Sequence, residues 1–248
     1  MEVHAHAHTE RKKWSHYIWE FLMLFFAVFC GFLAENQREH MIEHRKEVEY
    51  IQAMVEDLKE DTALFKLVIE RNRFASEKID TLIGLLKSEN RNFYAKQIYY
   101  MARVIPTYDQ DLICQDKTFE QLKGSGGLRL IRKQATQNKI GSYYQTSKYI
   151  QIGPTPMQYQ NRRDLFLSYE KLFDAAAFQE IMKNYGKPFD PSAFHFALLS
   201  HDPIVINSIC TRFHIMYSTK RVVSMQAERF IKEATSLIQY LKEEYHLK

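Results

Sequence analysis

Cysteine, proline and glycine are all scarce in this chain, at three, six and eight in 248 residues. So few chain-breaking residues exclude a fold built on many tight turns and leave long helices to dominate. Strand-like alternation never persists long enough to propose a sheet, and no fixed-period repeat is visible. Neither charge sign is in large excess: 34 basic residues against 30 acidic ones leave a formal charge of +4. A pI of about 8.8 without a concentrated Lys/Arg stripe is too diffuse to imply phosphate-backbone binding, so no nucleic acid is expected as a partner. The same mild positive balance fits a chain held near anionic lipid.

What is abundant is apolar side chain, with 46% hydrophobic and 14% aromatic residues, enough for a real core. The most informative stretch is Phe21 to Ala34, which carries no charge. Such a run is short for a full membrane span, but its flanks extend it. Trp14, Tyr17, Ile18 and Trp19 precede it, where amphipathic rings sit at a headgroup boundary, with Arg11, Lys12 and Lys13 further out. A helix over residues 17–36 is about 30 Å long, the thickness of the hydrocarbon core. Glu20 and Glu35 fall near its two ends, where snorkelling keeps their cost low. A cleaved signal peptide is the rival reading. Leu33-Ala34-Glu35 is a poor cleavage site, however, and Phe29 before Cys30 does not suit a lipoprotein signal. The expected partner of Phe21 to Ala34 is therefore a lipid bilayer. Arg38, Arg45 and Lys46 nearly balance the three basic residues before the run, and the N-terminus is expected inside.

Beyond the anchor, Val48, Ile51, Val55, Leu58, Thr62, Phe65, Ile69, Asn72, Ser76, Ile79, Ile83 and Leu86 follow a heptad count. A second count runs Ile206, Ile209, Phe213, Met216, Lys220, Val223, Ala227, Phe230, Ala234, Leu237, Leu241 and Glu244. Two long helices are predicted, packed antiparallel. Met54, Leu64, Leu67, Phe74 and Leu82 widen the first stripe and point to a bundle rather than a bare coiled coil. The expected fold class is all-α: a transmembrane helix continuing into a long helix, packed on a long C-terminal helix, with shorter helices between. The expected organisation is a His-containing cytoplasmic tail (1–16), the membrane helix (17–36), a heptad helix (37–89), shorter helices and loops (90–202) and the last helix (203–248).

Within the middle segment, Pro154 and Pro156 precede a helix predicted from about Met157 to Tyr185, closed by Gly186 and Pro188. Asp190 with Pro191 opens a short helix to Leu199, and Asp202 with Pro203 opens the last one. Gly124-Ser125-Gly126-Gly127 reads either as a phosphate-cradling nest assisted by Lys123 or Arg129, or as a short helix ended by a left-handed glycine and a tight turn. The second reading puts Phe119, Leu122, Leu128 and Ile131 in the core.

An apolar anchor running into Leu33-Ala34-Glu35-Asn36-Gln37 is followed by Tyr50-Ile51 and Glu56-Asp57-Leu58. Further on come Thr118-Phe119-Glu120-x-Leu122, a Ser-Gly turn and Leu128-x-Leu130-Ile131. This order resembles a family of uncharacterised single-pass bacterial membrane proteins, in which a helical domain follows an N-terminal anchor. The resemblance implies topology and fold; with the N-terminus expected inside, the helical domain is expected on the periplasmic side of the inner membrane. It carries no catalytic residues.

Chemistry-bearing residues are dispersed. His4, His6 and His8 alternate in a solvated tail, while His40 and His44 lie one helical turn apart without a third ligand. His195, His201 with Asp202, and His214 have no nucleophile motif near them. No catalytic, cofactor-binding or metal-binding residues are expected. Cys30 lies in the anchor; Cys114 and Cys210 are either buried thiols or a disulfide formed in an oxidising compartment. Ala27, Gly31 and Ala34 place small residues on one side of the anchor, a spacing that suits a dimer, and Asn72 would fix pairing register in a dimer or face solvent in a bundle. The expected function is protein contact, as a scaffold or accessory subunit with an unidentified protein partner or a second copy, and not catalysis. The alternative is an extracytoplasmic ligand-sensing bundle that needs a partner for output, with Tyr143, Tyr144, Tyr149, Arg162 and Arg163 as pocket residues.

Overall fold

The computed structural model describes residues 14–183 and 196–247, and every element in them is helical. Among the described residues seven α-helices follow one another: α1 Trp14–Lys87, α2 Ala95–Val104, α3 Lys117–Gly124, α4 Gln134–Ile152, α5 Pro154–Ser168, α6 Ala175–Lys183 and α7 Pro203–Glu244. Three short 3-10 turns lie between them, at Ile105–Tyr108, Gly127–Leu130 and Tyr169–Lys171. The chain divides into two compact units, Met1–Tyr50 and Ile51–Lys248.

The first unit is the early part of α1, which is long and apolar enough to cross a membrane, and none of its apolar run is covered by the chain. Phe21, Phe25 and Phe29 stack along one side at the four-residue spacing of a helix face, with centroids 6.3 and 5.9 Å apart. Both carboxylates near the ends of the run have a partner one turn further out. His16 Nε2 lies 3.1 Å from Glu20, and Arg38 Nε donates to Glu35 at 2.9 Å.

In the second unit, α7 runs antiparallel to the later part of α1. Phe65 packs edge-on to Phe230 at 5.7 Å, and Asn72 Nδ2 donates to the Lys220 carbonyl at 3.4 Å. Asn72 is thus buried and paired within the chain, rather than facing solvent or fixing a dimer register. The α7 seam is the expected one, from Ile206 to Leu241. The α1 seam is displaced at every second position. Ile51, Leu58, Phe65, Asn72, Ile79 and Leu86 are buried as counted, but between them Met54, Asp61, Val68, Ala75 and Leu82 point inward instead of Val55, Thr62, Ile69, Ser76 and Ile83, of which only Val55 is also buried. Successive steps of three and four residues satisfy either choice. Contact with α7 and the middle helices selects the one that includes an aspartate.

The single helix expected over Met157 to Tyr185 is broken. α5 ends at Ser168, a 3-10 turn follows, and α6 starts at Ala175. The break lets Leu172 and Phe173 enter the core, where each buried side chain contributes about 1.5–3 kcal/mol. The backbone groups it frees are satisfied locally. Tyr99 Oη accepts from Asp174 N at 2.7 Å and donates to the Ala197 carbonyl at 2.8 Å. Asp174 Oδ1 caps α6 by accepting from Ala176 N, and Leu199 N donates to the Leu172 carbonyl. Phe196 to Leu199 is irregular; the rest of the helix expected from Asp190 to Leu199, with Gly186, Pro188 and His195, lies outside the described residues. Asp202 caps α7 as expected, accepting from Ile204 N at 2.8 Å.

Candidate functional site

Asp57 and Asp61 lie one turn apart on α1 and both point inward. They face the irregular stretch of residues 109–116, whose backbone groups have no helix to satisfy them. Asp61 is fully buried; its Oδ1 accepts from Gln115 N at 2.7 Å and its Oδ2 from the Tyr143 hydroxyl at 2.7 Å. Asp57 Oδ2 accepts from Thr118 N at 3.2 Å. Thr118 is the second residue of α3, so its N–H is among those a helix start leaves unpaired. Asp116, at the cap position, makes no capping bond with its own side chain. α3 is therefore capped from α1, and Lys117 flanks the contact at 3.6 Å from Asp57 and 3.5 Å from Glu60.

Aromatic side chains close the cluster. Tyr143 meets Tyr144 edge-on at 5.2 Å and Phe230 at 5.8 Å, while Tyr144 stacks on Phe119 at 4.4 Å. The Tyr144 hydroxyl is buried and has no hydrogen-bond partner among the described residues. Burial pushes the Asp61 carboxyl up to about 6, against the Gln115 amide and Tyr143 hydroxyl, which favour the ionised form; the charges of Asp57 and Glu60 add to the upward push. Burial likewise pushes the Cys114 thiol up to about 12 and the Tyr143 phenol further above its ordinary range. Cys114 Sγ lies 4.0 Å from the Tyr143 hydroxyl and is held as a thiol at neutral pH, without nucleophilic character. The cluster's hydrogen bonds serve to hold residues 109–118 against α1 and α4.

A second polar cluster lies between α5 and α7. Lys220, 1% exposed, donates to Asp109 Oδ1 at 2.7 Å, and Arg162 lies 3.8 Å from the other oxygen. Asn161 Nδ2 donates to Thr219 Oγ1 at 2.7 Å beside it.

A groove of about 370 Å³ opens between α4 and α7, lined by Lys139, Ser142, Tyr143, Lys232, Glu233, Ser236, Leu237 and Tyr240. Its volume is that of a small-molecule site, and Tyr143 joins it to the aspartate cluster.

The residues singled out in the sequence are only partly assembled. Tyr143 and Tyr144 come together in the core, but Tyr149 is 75% exposed and Arg162 belongs to the Asp109 cluster. His40 and His44 each turn to a carboxylate one turn on, Glu43 at 3.8 Å and Glu47 at 3.3 Å. Among the described residues no group of three or more His, Cys, Asp or Glu side chains is placed to hold a metal ion. His214 stacks on Tyr217 at 6.1 Å; His4, His6 and His8 lie outside the described residues. Cys30, Cys114 and Cys210 are free thiols.

The glycine turn takes the second of its two readings. Ser125 N donates to the Gln121 carbonyl and Gly126 N to the Lys123 carbonyl, so these amides are already used. The left-handed residue is Gly126, with φ 68°. Gly127 is held close: a Cβ there would meet Ser125 Oγ at 3.0 Å and Leu122 Cδ2 at 3.1 Å. Leu122 and Ile131 are buried, and Phe119 and Leu128 half-buried.

Sequence reasoning missed the two aspartates as a site. The signal was present in Glu56-Asp57-Leu58, which the fold brings against Thr118-Phe119-Glu120, so two motifs 61 residues apart meet at one hydrogen bond. Compared with protein-family models, with curated proteins and with solved structures, the chain matches none.

Proposed function

We propose that this chain is a membrane-anchored helical module that works by contact with another protein, as a scaffold or accessory subunit. The observation that carries this reading is the uncovered outer face of α7. Ile204, Ser208, Thr211, Ile215, Ser218, Val222 and Met225 are all exposed and follow the spacing of a helix seam without a charge. Thr211 and Ser218 donate their hydroxyls to carbonyls four residues back, Asn207 and His214, which leaves the stripe largely apolar. The apolar run of α1 supplies the anchor, as one helix of sufficient length and hydropathy. The likeness in motif order to uncharacterised single-pass bacterial membrane proteins supports an inner-membrane location; the orientation proposed has the N-terminus in the cytoplasm and the helical domain in the periplasm.

Two measurements test this. Fusing a periplasm-only and a cytoplasm-only reporter after Lys248 reads the topology, and activity of the cytoplasmic reporter alone reverses the orientation. A photo-crosslinking residue at Ile215 or Val222, compared with one at Lys66, reads the contact. A discrete adduct from the α7 positions alone is expected; none at either position refutes contact through this face.

A ligand-sensing bundle is the second reading, favoured by the groove between α4 and α7 and its direct contact, through Tyr143, with the buried cluster.

A further inference from the structure

The groove has a donor arrangement that specifies its ligand more closely than a general sensing role does. Lys133 paired with Glu244, Thr136 with Tyr240 at 3.0 Å, and Tyr143 against Phe230 set α4 and α7 antiparallel. In this register Lys139 on α4 lies opposite Ser236 on α7, and Ser142 lies opposite Lys232. Each wall thus contributes one ammonium and one hydroxyl, on a diagonal.

These four groups are available. Lys139 Nζ lies over the Tyr240 ring, 4.7 Å from its centroid, with no carboxylate partner among the described residues. Lys232, Ser142 and Ser236 have no partner among the described residues. The groove's carboxylate, Glu233, is already engaged by Arg229 Nε at 2.8 Å. Lys139 and Lys232 are separated by about 4.5 Å along the helix axes and about 8–10 Å across them, a span that two lysine side chains close around one group. Leu237 and the Tyr143 ring supply an apolar floor.

We propose that this groove binds a phosphate monoester, with the phosphoryl group held between Lys139 and Lys232, Ser142 and Ser236 donating to its oxygens, and an apolar body against Leu237 and Tyr143. Donors converging from two opposite walls suit a tetrahedral oxyanion better than a planar carboxylate. Lysine ammonium groups bind phosphate as point charges without needing a fixed fork. The proposal deepens the ligand-sensing reading and takes its site from it, but binding stands whether or not an output partner exists.

The test uses the full chain in maltoside micelles. Phenyl phosphate is titrated by calorimetry and by phosphorus NMR, and a parallel series carries phosphatidic acid in the micelles. Binding of phenyl phosphate is expected, weakened about tenfold or more by Lys139→Gln and by Lys232→Gln, and unchanged by Lys66→Gln on the exposed side of α1. The lysines replaced are exposed, so the variants are expected to keep the melting temperature of the parent, which is checked first. Site-dependent binding of phosphatidic acid without phenyl phosphate assigns the phosphoryl group to a lipid headgroup; binding of phenyl phosphate without phosphatidic acid assigns it to a free ester, and binding of both supports a phosphate monoester site that accepts either source. No binding of either probe overturns the proposal, and so does binding that Lys66→Gln weakens as much as the groove variants do. Site-dependent binding that leaves the chain's crosslinked partners unchanged removes the sensing role alone.

Discussion

Ionising Asp61 is expected to destabilise the fold. Its carboxyl is pushed from 3.8 to about 6 by burial, so the folded state binds that proton more tightly than the unfolded chain does. A carboxyl shifted upward contributes stability that is fully present below the unfolded value and is lost as pH rises through the folded one. The window is therefore about pH 4 to 7. A shift of about two units at about 1.4 kcal/mol each sets an upper limit of about 3 kcal/mol. Relaxation and hydration at the cluster's edge lower the expectation to about 1–2 kcal/mol. Asp61→Asn keeps an acceptor for Gln115 N and cannot ionise, so it isolates this contribution from all other titrations. Urea unfolding of the full chain in micelles, at pH 4.5 and 7.5, measures it. Near-ultraviolet circular dichroism of the buried tyrosines is the probe, because both tryptophans, Trp14 and Trp19, lie in the first unit. Stability of the parent relative to the variant is expected to fall by about 1–2 kcal/mol from the lower to the higher pH. A difference that stays constant, or that grows in the parent's favour, refutes the reasoning.

Lys220→Met leaves Asp109 buried with only Arg162 at 3.8 Å, and is expected to cost about 3–5 kcal/mol by denaturant midpoint; joining it to Asp109→Leu should recover most of that loss. Gly126→Ala forces a side chain into the left-handed region at φ 68° and should cost about 1–2 kcal/mol in the same assay. Cys114 and Cys210, both buried, are expected to resist alkylation in the native chain and to react together on unfolding, read by mass spectrometry; rapid native labelling of Cys114 would contradict the burial that holds it as a thiol.

Much of the fold was legible because apolar periodicity survives almost intact in α7, where even Lys220 falls at its counted core position. In α1 the same count chose Thr62 over Asp61 and Ile69 over Val68. Side-chain type cannot reveal that an aspartate points inward to accept an amide from a segment far along the chain. The break at Tyr169–Asp174 was hidden for a related reason, since no proline or glycine marks it and a freed backbone amide is satisfied by a hydroxyl on α2. The groove was legible only in part. Tyr143 stood out as aromatic, but Lys139 and Lys232 become neighbours only through the antiparallel register.

Pairing the first long helix with the last sets a timetable for synthesis. Phe65 waits for Phe230, and the Ile51 end of the seam waits for residues near Leu241, so at 5–20 residues per second the apolar face of α1 emerges roughly 10–40 s before its cover exists. During that interval the nascent chain presents a long helix whose apolar stripe has no cover. Any ribosomal pause between α6 and α7 would lengthen the exposure.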